Sequence, residues 1–151
     1  MKSKATLALA ALLIAIAAPA FGQTPKLDGA YKFVSLKFPG GEQTEAQTKG
    51  MIVVHGKYMA FVSAGVDRKT WTQDEPETER AKKMIDAYNG LRATAGDFEI
   101  QGDTITLQQQ AQASPATMGK PSKWVFKLSG NKLSLKPAAN TSVEFIFERL
   151  P

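Results

Sequence analysis

The side chains able to do chemistry are few and scattered. The 151-residue chain contains one histidine and no cysteine. Thiol nucleophiles, thiolate metal sites and disulfides therefore have no residue to build on. His55 stands in His55-Gly56-Lys57, a tight-turn tripeptide, where a lone imidazole reads as solvated rather than as a poised base. No serine occupies a G-x-S-x-G elbow, and the chain has no H-E-x-x-H, G-x-x-x-x-G-K-[ST] or G-x-G-x-x-G pattern. Carboxylates crowd only at residues 74–79. Asp97 with Glu99, and Glu144 with Glu148, share outer strand faces. Such pairs could serve general acid–base work, but on a solvated sheet face they read as surface charge. No catalytic residue, metal ligand or cofactor is expected, and the chain is not read as an enzyme.

What remains is a set of aromatic residues that strands would bring together. Gly29–Phe38 is rich in β-formers and ends at Pro39-Gly40-Gly41. Residues 42–49 read as a polar loop. Met51–Val54 and Tyr58–Ser63 flank the His55–Lys57 turn as a hairpin. Residues 64–73 read as a second loop. Ala95–Ile100 with Thr104–Gln109 and Lys123–Leu128 with Lys132–Lys136 form two more hairpins, and Val143–Arg149 is the last strand. Residues 111–121, with Ser, Pro, Gly and Ala, read as an exposed loop. These segments predict eight strands. Eight antiparallel strands can close on themselves, and the interior is then just wide enough for side chains or one small ligand.

Between the third and fourth of these strands the period changes. Ala81, Met84, Ile85, Tyr88 and Leu91 recur at helical spacing, with Arg80, Lys82, Lys83 and Asp86 opposite. Asp74 is the expected N-cap, with Glu77 three residues on, Pro76 in the first turn and Asn89-Gly90 as the stop. The apolar stripe should bury against the barrel. If the helix crosses the barrel end, Met84 and Tyr88 would line the entrance and act as a lid.

Strand alternation sorts the remaining residues. Val143, Phe145 and Phe147 oppose Glu144, Ile146 and Glu148. Trp124, Phe126 and Leu128 oppose Lys123, Val125 and Lys127, and Leu133 and Leu135 alternate with Lys132, Ser134 and Lys136. Phe98, Ile100, Ile105 and Leu107 follow the same rule. In the first strand Tyr31, Phe33 and Ser35 are placed inside, against competition from Val34, Leu36 and Phe38. The expected interior lining is Phe33, Tyr58, Phe98, Trp124, Phe126 and Phe145, a surface suited to a small hydrophobic or amphipathic molecule. The same residues would serve equally as a plain hydrophobic core, leaving the loops at 40–49, 64–73 and 111–121 for a protein partner.

The first 22 residues read as an export signal. Lys2 and Lys4 precede the unbroken Ala/Leu/Ile run Leu7–Ala18, and Ala20-Phe21-Gly22 fits a small-x-small cleavage rule. A cut before Gln23 would leave residues 23–151 as one domain in the periplasm or outside the cell. The formal charge of +5 falls once the two leader lysines are removed. The remaining lysines are spread along strands rather than clustered with aromatics, so a nucleic-acid surface is not expected. No later apolar stretch is long enough for a membrane helix.

Leu27–Ser35, with Gly29, one residue, then Tyr31, resembles the opening G-x-W motif of lipocalins and of the bacterial lipocalin-like domains. Gly50–Val54 with Gly56–Met59, Tyr88 with Gly90, and Gly96–Asp103 resemble later segments of those domains. Phe145-Ile146-Phe147-Glu148-Arg149 is similar to their closing strand. The resemblance covers most of residues 27–149 and implies a calycin-type, eight-stranded antiparallel up-and-down β-barrel. It also implies that Gly29, Tyr31 and Arg149 close the barrel floor, Tyr31 standing where Trp is usual. It implies ligand binding in general, without a defined ligand or activity.

Overall fold

The computed structural model describes residues 26–151; the leader expected over residues 1–22 lies outside them. Nine strands follow in chain order: β1 (Gly29–Phe38), β2 (Gly41–Thr44), β3 (Thr48–His55), β4 (Tyr58–Gly65), β5 (Leu91–Gln101), β6 (Thr104–Gln112), β7 (Pro121–Ser129), β8 (Lys132–Pro137) and β9 (Glu144–Arg149). One helix, α1 (Glu77–Asn89), lies between β4 and β5, and a short 3-10 turn, Pro115–Thr117, follows β6. All strand pairs are antiparallel, and β9 pairs with β1, so β1 and β3–β9 form a closed eight-stranded barrel with β2 as an extra strand.

The extra strand corrects the reading of residues 42–49 as loop. Pro39-Gly40 folds the chain back so that Gly41–Thr44 pairs with Ser35–Phe38, while β3 takes Gly29–Lys32 on the same edge of β1. The helix consequently follows the fourth strand rather than the third.

Alternation places the core as expected over most of the barrel. Tyr31, Phe33, Ile52, Val54, Ile105, Leu107, Phe126, Leu133, Leu135 and Phe147 are buried in one cluster. In β1 the competing sets are reconciled by a bulge. Phe33 pairs with Phe147, but Ser35 pairs with Ile146 and Leu36 with Phe145. The extra residue switches the inward phase from Phe33 to Leu36. The aromatic rings then meet edge to face: Phe33 on Phe147 and Phe61 on both Phe145 and Phe147, with centroids 5.7–6.0 Å apart.

The helix differs from its expected form at both its start and its buried face. It begins at Glu77 with Pro76 in extended backbone at the cap, and no side chain caps it. A residue before proline is disfavoured in the α region, so Glu75 cannot continue a helix started at Asp74. Glu75 instead holds Lys83 at 2.8 Å, and Arg80 reaches back to the carbonyl of Gln73 at 3.2 Å. These bonds leave Arg80 and Lys83 on the less exposed face with buried Ala87, while Met84, Ile85 and Tyr88 are exposed.

Candidate functional site

The two barrel ends are built differently. At the floor, the Arg149 guanidinium lies against the Tyr31 ring, with Cζ 4.9 Å from its centroid. Arg149 Nη1 donates to the Asp28 carbonyl at 2.7 Å, and Nη2 donates to the Lys26 carbonyl at 3.3 Å and to the Tyr31 hydroxyl. That hydroxyl donates in turn to the Leu27 carbonyl at 2.8 Å. Residues 26–28 are thereby strapped across the floor, and Leu27 and Tyr31 are buried. Burial pushes the Tyr31 phenol above its ordinary range, partly offset by the guanidinium beside it. Gly29 has a φ of +139°, and a Cβ there would stand 3.0 Å from Arg149 Nη1. Gly29, Tyr31 and Arg149 thus come together at one end, and the structure adds Leu27 and Asp28 to the set.

Asp28 also fixes the β3–β4 turn, its Oδ1 accepting from the Gly56 N–H at 2.7 Å. That bond, ahead of the opposing effect of burial, holds the Asp28 carboxyl below the usual carboxylate range. A depressed carboxylate contributes stability above its unfolded pKa and loses it as pH falls through the folded value. The Gly56 amide proton shift should therefore titrate in acid, with a midpoint below that of a free aspartate. An NMR midpoint at or above the free value would contradict the assignment. His55 lies 3.9 Å from the same oxygen with a side chain 94% exposed, a solvated residue as read.

The interior between floor and mouth is nearly full. An internal void of about 30 Å³ is lined by Ile52, Met59, Phe61, Thr94, Ile105, Leu107, Trp124, Leu135, Phe145 and Phe147. That is room for about two waters, and an apolar lining keeps such a space dry. Phe33, Phe98 and Phe126 are core filling and do not line the void. Trp124 and Phe145 do line it. Tyr58 does not point inward: it is 54% exposed. The two-residue turn pairs it with outward His55, and Lys57 sits over its ring at 5.4 Å. Met59 and Phe61 take the inward positions, and Phe61 is the aromatic missing from the expected set.

The mouth is one concave site, and the outer wall of β3–β6 holds a larger, more open one of about 440 Å³. A cleft of about 240 Å³ is lined by Phe61, Trp124 and Phe145 below and by Leu91, Arg92, Ala93, Thr94, Gln109, Gln112, Ala113 and Ser114 above. Phe61, Thr94, Trp124 and Phe145 line both the cleft and the void. Met84 and Tyr88 line neither, so the helix is not the lid it was expected to be. Its apolar stripe turns outward, and the Tyr88 hydroxyl instead donates to the Ala113 carbonyl at 2.7 Å. The residues after β6 do border the mouth. Gln109 is buried, and its surroundings orient the amide nitrogen toward the carbonyls of Thr117 and Lys120, 3.0 and 3.2 Å away. Its oxygen then accepts from Gln112 Nε2 and Ser122 Oγ at 3.1 and 3.2 Å. These bonds pin residues 117–120 beside the opening.

Comparison of the chain with protein-family models, curated proteins and solved structures returns no match.

Three of the paired strand carboxylates have separate hydrogen-bond partners. Asp97 accepts from Gln110 Nε2 at 2.6 Å, Glu144 from Ser134 Oγ at 2.5 Å, and Glu148 from Asn131 Nδ2 at 3.0 Å. Lys32 lies 3.2 Å from Glu148, which lowers the Glu148 carboxyl pKa and raises that of the ammonium. Among the described residues no three His, Asp or Glu side chains group closely enough to hold a metal ion. No described helix is long and apolar enough to cross a membrane. On the outer wall, Met51, Val53, Ala60, Val62, Ala93, Ala95, Ala111 and Ala113 form a continuous apolar strip across β3–β6.

Proposed function

We propose that the chain is an exported, non-catalytic lipocalin-like protein that carries a small amphipathic molecule at the mouth of its barrel. The observation that carries this reading is the cleft of about 240 Å³ floored by Phe61, Trp124 and Phe145. Its volume lies just under the range of small-molecule sites, roughly 300–1,000 Å³. Its lining has the composition such sites use, apolar walls with a few placed polar groups. The void of about 30 Å³ is too small to hold the ligand within the barrel, so the bound molecule rests on the aromatic layer. Export is inferred from the charged start and apolar run of residues 1–22.

Trp124 forms part of the cleft and reports on it directly. The chain has a second tryptophan, Trp71, in an exposed loop, so a Trp71→Phe protein isolates the signal. Titration with medium-chain acids, alcohols and aryl compounds should give a saturable change in Trp124 emission. Dissociation constants should be roughly micromolar to sub-millimolar, as expected for ligands of about a dozen heavy atoms. Silence across the panel, with no ligand-bound mass in native mass spectrometry, would end the carrier reading.

The size of the void favours one second reading. A filled barrel can serve as a rigid platform whose loops, over residues 66–76 and 113–120, engage a protein partner. Covalent cross-linking of the exported protein in its own compartment would then trap that partner through those loops.

A further inference from the structure

The composition of the mouth suggests the kind of molecule it takes. Arg92 is the one charged residue lining the cleft. It belongs to the inward row of β5 with Thr94 and Phe98, opposite inward Ser63 of β4. It takes part in none of the ion pairs among the described residues. The other long polar side chains at the mouth are already engaged. Gln109 and Gln112 bond to one another, and the Gln112 Oε1 accepts the Ala113 N–H at 3.1 Å.

A second group on the same wall is unsatisfied. The Thr94 hydroxyl is sealed from solvent and has no hydrogen-bond partner. It lines the void as well as the cleft and lies two residues deeper than Arg92, about 7 Å along the strand. A buried hydroxyl without a partner is costly, and with no accessible surface of its own it is not a group the cleft presents to a ligand. The mouth thus offers a cation at the rim above an aromatic floor.

We infer that the ligand is a small organic acid, its anionic head at Arg92 and its apolar body over Phe61, Trp124 and Phe145. The guanidinium presents a planar fork of donors that matches a carboxylate. This inference rests on the carrier reading and narrows it to one charge class.

The test uses decanoate and decan-1-ol, which share a tail and differ in the charge of the head. Both are titrated into the Trp71→Phe protein and into the same protein carrying Arg92→Gln, with Trp124 emission as readout. Decanoate should bind at least tenfold more tightly than decanol, and its affinity should fall with added salt. Arg92→Gln should weaken decanoate about tenfold or more and leave decanol within twofold. Arg92 is on the exposed rim, so the variant should keep the parent's unfolding midpoint. Equal binding of acid and alcohol, or decanoate binding that is indifferent to Arg92→Gln, overturns the anion assignment and leaves the carrier reading standing. Binding of neither probe overturns both.

Discussion

Replacing Gly96 by alanine should cost about 3 kcal/mol of folding stability or more, near the upper end of what point substitutions do. A Cβ at Gly96 would lie 1.7 Å from the Gln108 carbonyl oxygen and 2.9 Å from its carbon, both backbone atoms. No rotamer change relieves such a clash, so the register itself must move. At this point β6 carries a bulge: Ala95 pairs with Ala111, but Gly96 pairs with Gln109, leaving Gln110 extra. The bulge reverses the phase of β6, so that Gln109 and Gln112 both line the mouth while Ala111 faces the outer wall. The bulged Gln110 is tied to the neighbouring strand through Asp97. Gly96→Ala should therefore lower the thermal midpoint by roughly 10 °C in a domain of this size and disturb Trp124 emission at the mouth. Gly102→Ala is the matched control. It has a φ of +63° with nothing within 4 Å, so only backbone strain of about 1–2 kcal/mol applies. Equal losses from the two substitutions in urea unfolding would show that the close approach at Gly96 is not what holds the bulge.

The bulges mark where the sequence is legible and where it is not. In β9 the alternation is strict, with charged or outward residues between Phe145, Phe147 and Arg149, and the structure follows it. Tight turns at Gly56, Gly102 and Gly130, all with positive φ, fix the hairpins as read. In β4 the pattern carries little information, because Tyr58, Ala60 and Val62 on one face are as apolar as Met59, Phe61 and Ser63 on the other. The turn register decides between them and sends Tyr58 outside. The phase changes near Val34 and at Gln110 leave no compositional trace except the small residue each requires opposite or beside it. For the same reason the mouth was the least legible part. Leu91–Ala93 and Gln110–Gln112 hold no β-branched or aromatic residue, and they extend β5 and β6 because neighbouring strands offer them a ladder. The helix stripe was visible, but its orientation depended on Pro76 and on the Glu75–Lys83 and Arg80–Gln73 contacts, which act across the first turn.

Removing Arg149 should be nearly as damaging as filling Gly96, and it acts on the opposite end of the barrel. Arg149→Ala deletes three hydrogen bonds and a guanidinium packed on the Tyr31 ring. Charge-assisted hydrogen bonds contribute roughly 1.5–3 kcal/mol, and a cation over a ring about 0.5–2 kcal/mol. The partners lie within one network, so these do not add, and a net loss of about 3 kcal/mol is expected. Arg149→Lys should recover less than half, because an ammonium cannot reach the Asp28 and Lys26 carbonyls and the Tyr31 hydroxyl with one fixed fork. Tyr31→Phe, which loses the hydroxyl but keeps the ring, should cost about 1–2 kcal/mol. The double variant should fall short of the sum of the singles by about 1 kcal/mol. A strictly additive cycle, or an Arg149→Ala protein with an unchanged urea midpoint, would mean that the floor is held by Leu27 and Tyr31 packing alone. The distinction bears on function, since Arg149 straps the end of the barrel opposite the mouth. Removing Arg149 also takes away the guanidinium that offsets the effect of burial on the Tyr31 phenol, so the raised pKa should fall toward the ordinary tyrosine range only if the floor opens to solvent and should rise further if Leu27 keeps it closed.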